Sequence, residues 1–351
     1  MELRLIRSHA VVALVIGLSA AACTAAPPAT QPPGPPPTGT AASPTAAAPE
    51  SPQGTMSFTI ASTSYSIESV PLLAALDELR EQGYQIEYPA LTAADLVAEG
   101  MIRNDFQFGV VGLSAAIVAI QAGAPITNIM TQVDNPWLLY AATDIEACED
   151  LGGRPFAIHS QEAFSTALGN GYVATECPGT EPEYLIISGS ENRYAAMIAG
   201  EVDASVIGIA DAVALEEEAG DRYHQLATFA ETLPELIVLN YAANSEWASE
   251  NPETVATFLA AVLEQHRRIA DEPGYFEQLV ETYQDDIGGV ITEGAIERYA
   301  ELYPVDGGFT EERVNASLDF LAEGGFIEPG STATDVADFS YLAAALESLD
   351  N

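Results

Sequence analysis

The chain has 351 residues, with 52 acids against 11 arginines, no lysine and a net charge of −41. A field of that sign repels polyanions, which excludes nucleic acid and anionic membrane surfaces as partners. The stretch from Thr55 to Asn351 is long enough for one large or two medium domains.

Taken in chain order, the N-terminus reads as an export signal. Arg4 and Arg7 precede an apolar run, Val11 to Leu18, which ends in Ser19-Ala20-Ala21-Ala22 and then Cys23. The run is too short for a membrane span. Residues 1–22 are therefore expected to be a signal peptide. Cys23 is the expected lipidation site of a bacterial lipoprotein, although Ala20 stands where a lipobox usually has Leu. Residues 23–54 are expected to be a tether: ten of the chain's 22 prolines lie between Thr24 and Gly54, and such a tract is semi-extended and builds no core. The competing reading is an ordinary cleaved signal with an incidental Cys. The expected location is extracytoplasmic, held by the lipid on the outer face of the cell membrane.

From residue 57 the pattern alternates strand and helix. Ser57–Ala61 reads as a strand. Ser69 and Pro71 open a helix with Leu72, Leu73, Leu76 and Leu79 on its apolar face and Gly83 as its stop. Strands follow at Tyr84–Tyr88, Phe106–Val111, Ile126–Gln132 and Trp137–Ala142, with helices at Ala93–Glu99 and Ser114–Ala122. The second stretch repeats the plan. Helices are expected at Ile145–Leu151, Phe164–Gly169, Arg193–Ala199 and Ala210–Ala219, and strands at Arg154–Ile158, Tyr184–Ile187, Ala204–Ile207 and Ile237–Leu239. From Pro252 onward the chain reads as helices, at Thr254–Ala270, Tyr275–Tyr283, Ile296–Leu302, Glu311–Leu321 and Phe339–Leu349. Strands separated by helices argue an α/β fold with doubly wound, mainly parallel sheets.

An internal echo points to two related lobes. Gly109-Val110-Val111-Gly112-Leu113-Ser114 follows a polar turn, as does Ala204-Ser205-Val206-Ile207-Gly208-Ile209; each is an apolar strand, a Gly and a helix start. Cys148 and Cys177 are expected to be bridged, since an exported compartment is oxidising. No CxxC, HExxH or paired-His spacing occurs, so neither a metal nor a cofactor is expected.

At three stretches the chain resembles the substrate-binding proteins of bacterial ABC transporters, in the type II group that includes nitrate-, sulfonate-, taurine- and thiamine-precursor binders. These are Arg193-Tyr194-Ala195-Ala196-Met197-Ile198-Ala199-Gly200-Glu201-Val202-Asp203-Ala204, Asn251-Pro252-Glu253 through Leu259, and Phe108-Gly109-Val110-Val111-Gly112 with Gly123-Ala124-Pro125-Ile126. The resemblance implies a two-lobe periplasmic-binding-protein clamshell that captures a small solute between its lobes and delivers it to an ABC permease. It implies lobe 1 at 55–142, lobe 2 at 143–238, and a return to lobe 1 with C-terminal helices at 239–351. The crossings would lie near Ala142–Thr143 and Leu239–Tyr241.

Ligands of open α/β sheets lie beyond the carboxyl ends of the strands, near helix N-termini. That rule selects the loops bearing Ser64 and Tyr65; Gly112 and Ser114; Asn135 and Trp137; Glu162, Phe164 and Ser165; Ser190 and Asn192; and Asp211. Each hydroxyl also has a plain reading as a helix cap. Tyr65 and Trp137 offer flat walls for an aromatic or quaternary ammonium group, or are rim aromatics of the core. His159 reads as a structural histidine. Arg193 opens a helix, where a cation opposes the dipole, with Glu191 as a nearby partner. Glu68, Asp134, Glu162, Glu191 and Asp211 lie near these loops. A heteroaromatic, zwitterionic or cationic solute is thus favoured over nitrate or a sulfonate. The acids are spread along helix faces, as at Glu216-Glu217-Glu218, the pattern of a solvated acidic shell in a salt-adapted protein. The alternative function is an enzyme of the same fold, of the pyrimidine-forming or menaquinone-pathway type. That chemistry needs a reactive His or Cys, and no nucleophile–base spacing is visible.

Overall fold

The computed structural model describes residues 56–63, 65–91, 94–161, 163–288 and 291–350. The signal, the tether, Cys23, Ser64 and Glu162 lie outside the described residues. The chain runs through β1 (Ser57–Ala61), α1 (Val70–Glu81), β2 (Gln85–Glu87), α2 (Ala94–Ile102), β3 (Phe108–Gly112), α3 (Leu113–Gln121) and β4 (Ile126–Val133). It continues through β5 (Trp137–Ala142), β6 (Pro155–Ile158), α4 (Phe164–Glu176), β7 (Glu183–Ile186), α5 (Ser190–Ala199), β8 (Ala204–Gly208), α6 (Ile209–Ala219), β9 (Tyr223–Thr228) and α7 (Phe229–Thr232). Next come β10 (Leu239–Asn244), α8 (Ser245–Glu250), α9 (Pro252–Asp271), α10 (Tyr275–Tyr283), α11 (Glu293–Ala300), α12 (Glu311–Glu323), α13 (Ala333–Val336) and α14 (Ser340–Leu349). No described helix is long and apolar enough to cross a membrane.

The strands form two five-stranded sheets, ordered β2-β1-β3-β10-β4 and β7-β6-β8-β5-β9. These orders are the same order written twice. In each sheet three successive parallel strands meet one antiparallel strand, β10 or β5, and that strand comes from the segment arriving from the other lobe. The sheets are therefore mixed, each built around one visiting strand. The echo noted in the sequence falls at equivalent places. β3 and β8 each end in a Gly that starts a helix, with Gly112 paired to Leu239 and Gly208 paired to Trp137.

This pairing moves both crossings. Trp137–Ala142 belongs to the second sheet, so the chain leaves lobe 1 at residues 134–136, not near Ala142–Thr143. It returns along residues 233–238, and Leu239–Tyr241 is already strand β10 of the first sheet. Strand hydropathy does not distinguish the two assignments, because Leu138–Ala141 of β5 is buried on both faces and carries no alternation to match to one sheet.

Local chemistry explains the individual elements. α1 has Pro71 in its first turn, where a missing N–H costs nothing, and buries Leu72, Leu76 and Leu79. α9 opens with Pro252 and buries Val255, Phe258, Leu259, Val262 and His266 along one face, which packs on α1 and α14. α4 runs seven residues past the expected end, through two glycines. The glycines answer close neighbours: a Cβ at Gly171 would come within 2.6 Å of the Phe320 ring, and one at Gly169 within 3.1 Å of Phe156. Cys148 and Cys177 are bridged, tying the turn before β6 to the end of α4. Closing a loop of that length contributes about 3 kcal/mol. The C-terminal helices are not confined to lobe 1. α11 packs on α6, and Phe320 of α12 lies 6.3 Å from Phe164 of α4, while α14 packs on α9 and β4.

Candidate functional site

The two crossings cap the two helices that start beside them. Leu113 N–H, the first of α3, donates to Val238 O at 3.0 Å, and Ile209 N–H, the first of α6, donates to Pro136 O at 3.2 Å. Each helix start is thus held against the segment joining the lobes, which puts Gly112 and Ser114 on one side of the junction and Gly208 and Asp211 on the other.

On the lobe 1 side, the ends of β1 and β3 and the turn before α1 enclose a cavity of about 90 Å³, bordered by Ser62, Thr63, Ser66, Glu68, Gly112 and Gln132 among others. Ser66 Oγ donates to Glu68 Oε2 at 3.0 Å and Tyr299 OH donates to Oε1 at 2.9 Å. Burial pushes the Glu68 carboxyl above the usual carboxylate range, and Asp211 adds to the effect.

On the lobe 2 side, burial likewise raises the Asp211 carboxyl, while a hydrogen bond from Ser190 pulls it down. Ser190 Oγ also accepts from Gly208 N–H at 2.9 Å. Arg193 is fully buried. Its Nε donates to Val206 O at 3.0 Å and its Nη1 to Ile187 O at 3.4 Å, so one guanidinium joins the middle of β8 to the residue after β7. Its Nη2 has no partner, and its guanidinium lies 5.9 Å from the Trp137 ring. Burial lowers its pKa to about 10. His159 Nδ1 receives Gly189 N–H at 3.2 Å and faces Arg193 Nη1 at 3.4 Å. That nitrogen is therefore the acceptor of a neutral ring, and burial holds the pKa of His159 below the ordinary value.

The expected site residues divide. Gly112, Asn135, Trp137, Ser190 and Asp211 gather at the junction. Asn135 Oδ1 accepts from Trp137 N–H at 3.2 Å, and its Nδ2, like Trp137 Nε1, is buried without a partner. Ser114 is buried in the first turn of α3. Tyr65 donates its hydroxyl to Tyr88 O and packs on that ring at 4.7 Å. Phe164 belongs to the core against Phe320, with Ser165 buried beside it. Asn192 is exposed and donates to Ser188 O at 2.7 Å, a local helix-start contact. Gln132, Ser66 and Ser69 border the cavity without having been singled out from the sequence. Gln132 carries no signal, since it is one of several polar residues in β4, with Thr127, Asn128 and Thr131. Glu68 stood out only as one acid among many.

Two sheets of the same order, two crossings and a polar junction define a two-lobed binding-protein fold. The chain belongs to the NMT1/THI5 like family, whose model matches residues 79–275. Among solved structures it is similar to the periplasmic aliphatic sulphonate binding protein SsuA of Escherichia coli, at 18% identity and a TM-score of 0.63 over 80% of this chain and 92% of that one. It is similar to the sulfonate-binding protein SsuA of Methylobacillus flagellatus KT, at 17% identity and 0.65 over 84% and 94%. The nitrate-binding protein NrtA of Synechocystis PCC 6803 matches at 12% identity and 0.64 over 84% and 89%. These likenesses establish the shared fold. No curated protein sequence matches the chain.

Proposed function

We propose that this chain is the solute-binding component of an ABC importer, taking a small organic molecule at the junction of its lobes and presenting it to a membrane permease. The observation that carries the reading is the doubled sheet order joined by two crossings, with Gly112, Trp137, Glu68 and Asp211 brought to the joint. Hinged lobes of this kind close over a ligand by small changes in the connecting segments. The carboxyls of Glu68 and Asp211 favour a cationic, zwitterionic or heteroaromatic solute over nitrate or a simple sulfonate. The histidines among the described residues support no enzyme: His159 accepts from Gly189, His224 Nε2 lies 2.8 Å from Ile145 O, and His266 Nδ1 lies 3.1 Å from Pro304 O.

A solute that binds the folded state raises its melting temperature by mass action. Purified protein screened against amino acids, amines, pyrimidines, betaines, sulfonates and nitrate is expected to show such a shift with at least one class, with a change in Trp137 fluorescence on closure. No shift with any class overturns the reading. Anchoring through Cys23 completes the proposal. Cys23→Ser is expected to move the protein from the membrane to the soluble fraction, and an unchanged distribution removes the anchor.

A further inference from the structure

Glu68 has neighbours that satisfy its oxygens but none that balances its charge. Its hydrogen-bond donors are hydroxyls, of Ser66 and Tyr299. Asp211, from the other lobe, opposes its ionisation. Among the described residues no arginine forms an ion pair with Glu68, whereas Asp211 is drawn to the buried Arg193 from beyond ion-pair distance.

A second observation is independent of charge. Gln132 borders the same cavity and is 2% exposed. Its Nε2 donates to the backbone carbonyl of Glu68 at 3.3 Å, which sets the orientation of the amide. Its Oε1 is then buried with no partner. A buried acceptor left empty is unfavourable, and this one sits beside a carboxylate that lacks a counter-charge. The cavity therefore asks for positive charge and N–H donors together.

We propose that the cavity at Glu68 and Gln132 takes a primary ammonium group of the solute, with Asp211 completing the charge balance from the second lobe. The inference rests on the solute-binding reading above and deepens it. An ammonium carries three donors, enough for Gln132 Oε1 and the Glu68 carboxylate, with Asp211 acting through its charge alone. A trimethylammonium carries none and leaves Gln132 Oε1 empty. A nitrate or sulfonate would turn its oxygens toward like charge. At about 90 Å³ the cavity holds a head group rather than a whole solute, since complete ligand pockets run to roughly 300–1,000 Å³. The rest of the molecule extends out of the cavity.

The test uses calorimetry and thermal shift on the purified protein with 4-aminobutyrate, taurine and 2-phenylethylamine. Each is run beside its desamino and N,N,N-trimethyl counterparts, with nitrate as an added control. At least one primary amine is expected to bind, and its counterparts to bind roughly tenfold to a hundredfold more weakly. Glu68→Gln and Gln132→Leu are expected to weaken that amine by a similar factor while the ligand-free protein still unfolds in one cooperative transition. Should Glu68→Gln fail to fold, Asp211→Asn carries the same expectation. Equal binding of a desamino or trimethyl counterpart, or undiminished binding by the variants, overturns the ammonium site. Binding of nitrate or a desamino sulfonate with no response to any amine overturns it while leaving the solute-binding reading intact. Silence from every compound, amines and anions alike, counts against both.

Discussion

His266 shows how one buried side chain imposes a pH dependence on the fold. It lies fully buried on α9, 5.2 Å from the Tyr303 ring, with Nδ1 facing Pro304 O at 3.1 Å. Burial lowers its pKa to about 4, against about 6.5 in the unfolded chain. Between those values the unfolded state holds the extra proton, so stability falls as pH drops, by about 3 kcal/mol across the whole window. Glu68 and Asp211 have the opposite sign. Their folded pKa values are raised, so their contribution is most favourable in acid and is lost as pH rises through those values. His266→Gln is therefore expected to lose less melting temperature than the natural protein on going from about pH 7.5 to about pH 5. Equal losses in the two proteins would remove His266 as the cause. At this scale the sequence indicated hydroxyl, amide and aromatic residues by loop position. It could not separate Ser190, which meets Asp211 and Gly208, from Asn192, which caps its own turn. The two differ by half a helical turn, and only the packed lobe gives that difference a direction.

Among the elements, the joint between the lobes depends on α12. Arg313 Nη2 donates to Asp134 Oδ1 at 2.8 Å and to Pro234 O at 3.3 Å, while Nη1 donates to Gly308 O at 2.7 Å. Asp134 lies in the outgoing crossing and Pro234 in the returning one, so a single guanidinium ties both. Ser317 Oγ, one turn further along α12, accepts from Ile237 N–H at 3.0 Å. Arg313→Gln is expected to cost about 1–3 kcal/mol in denaturant unfolding, and to broaden the distribution of lobe separations measured by solution scattering. A loss below about 0.5 kcal/mol, typical of exposed pairs, would show that the tie is ornamental. The sequence located most helices within a turn, because amphipathic spacing is a local signal. It missed β9, where Tyr223-His224-Gln225-Leu226-Ala227-Thr228 carries little alternation and is held at the edge by pairing with β5. It placed a strand at Ile237–Leu239, which meets β10 only at Leu239, since Asn240 and Asn244 are polar. Both are buried: Asn240 Nδ2 donates to Asn128 Oδ1 at 2.5 Å, and Asn244 Nδ2 donates to Met101 O at 2.7 Å.

Across the whole molecule, charge is the dominant fact. Seven of the nine described arginines are committed to ion pairs, most of them at the surface, and most of the 52 acids remain unanswered. Among the described residues alone the carboxylates in ion pairs are few, and self-repulsion of such a shell destabilises the compact state. Raising sodium chloride from about 0.1 M to about 1 M shortens the screening length from about 10 Å to about 3 Å. The melting temperature is expected to rise over that range, and a flat or falling trend would mean that the acids are too well separated to matter. Composition, the alternation of strand and helix, the cysteine pair and the repeated strand-Gly-helix phrase were legible in the sequence, since each is a property of neighbouring residues or of a count. Which sheet β5 and β10 join, where the chain crosses, and which acids meet at the joint were decided by tertiary structure. Strand pairing and side-chain convergence are contacts between segments far apart in the chain, such as Trp137 with Gly208 and Leu239 with Gly112, and their energies leave no mark on local hydropathy.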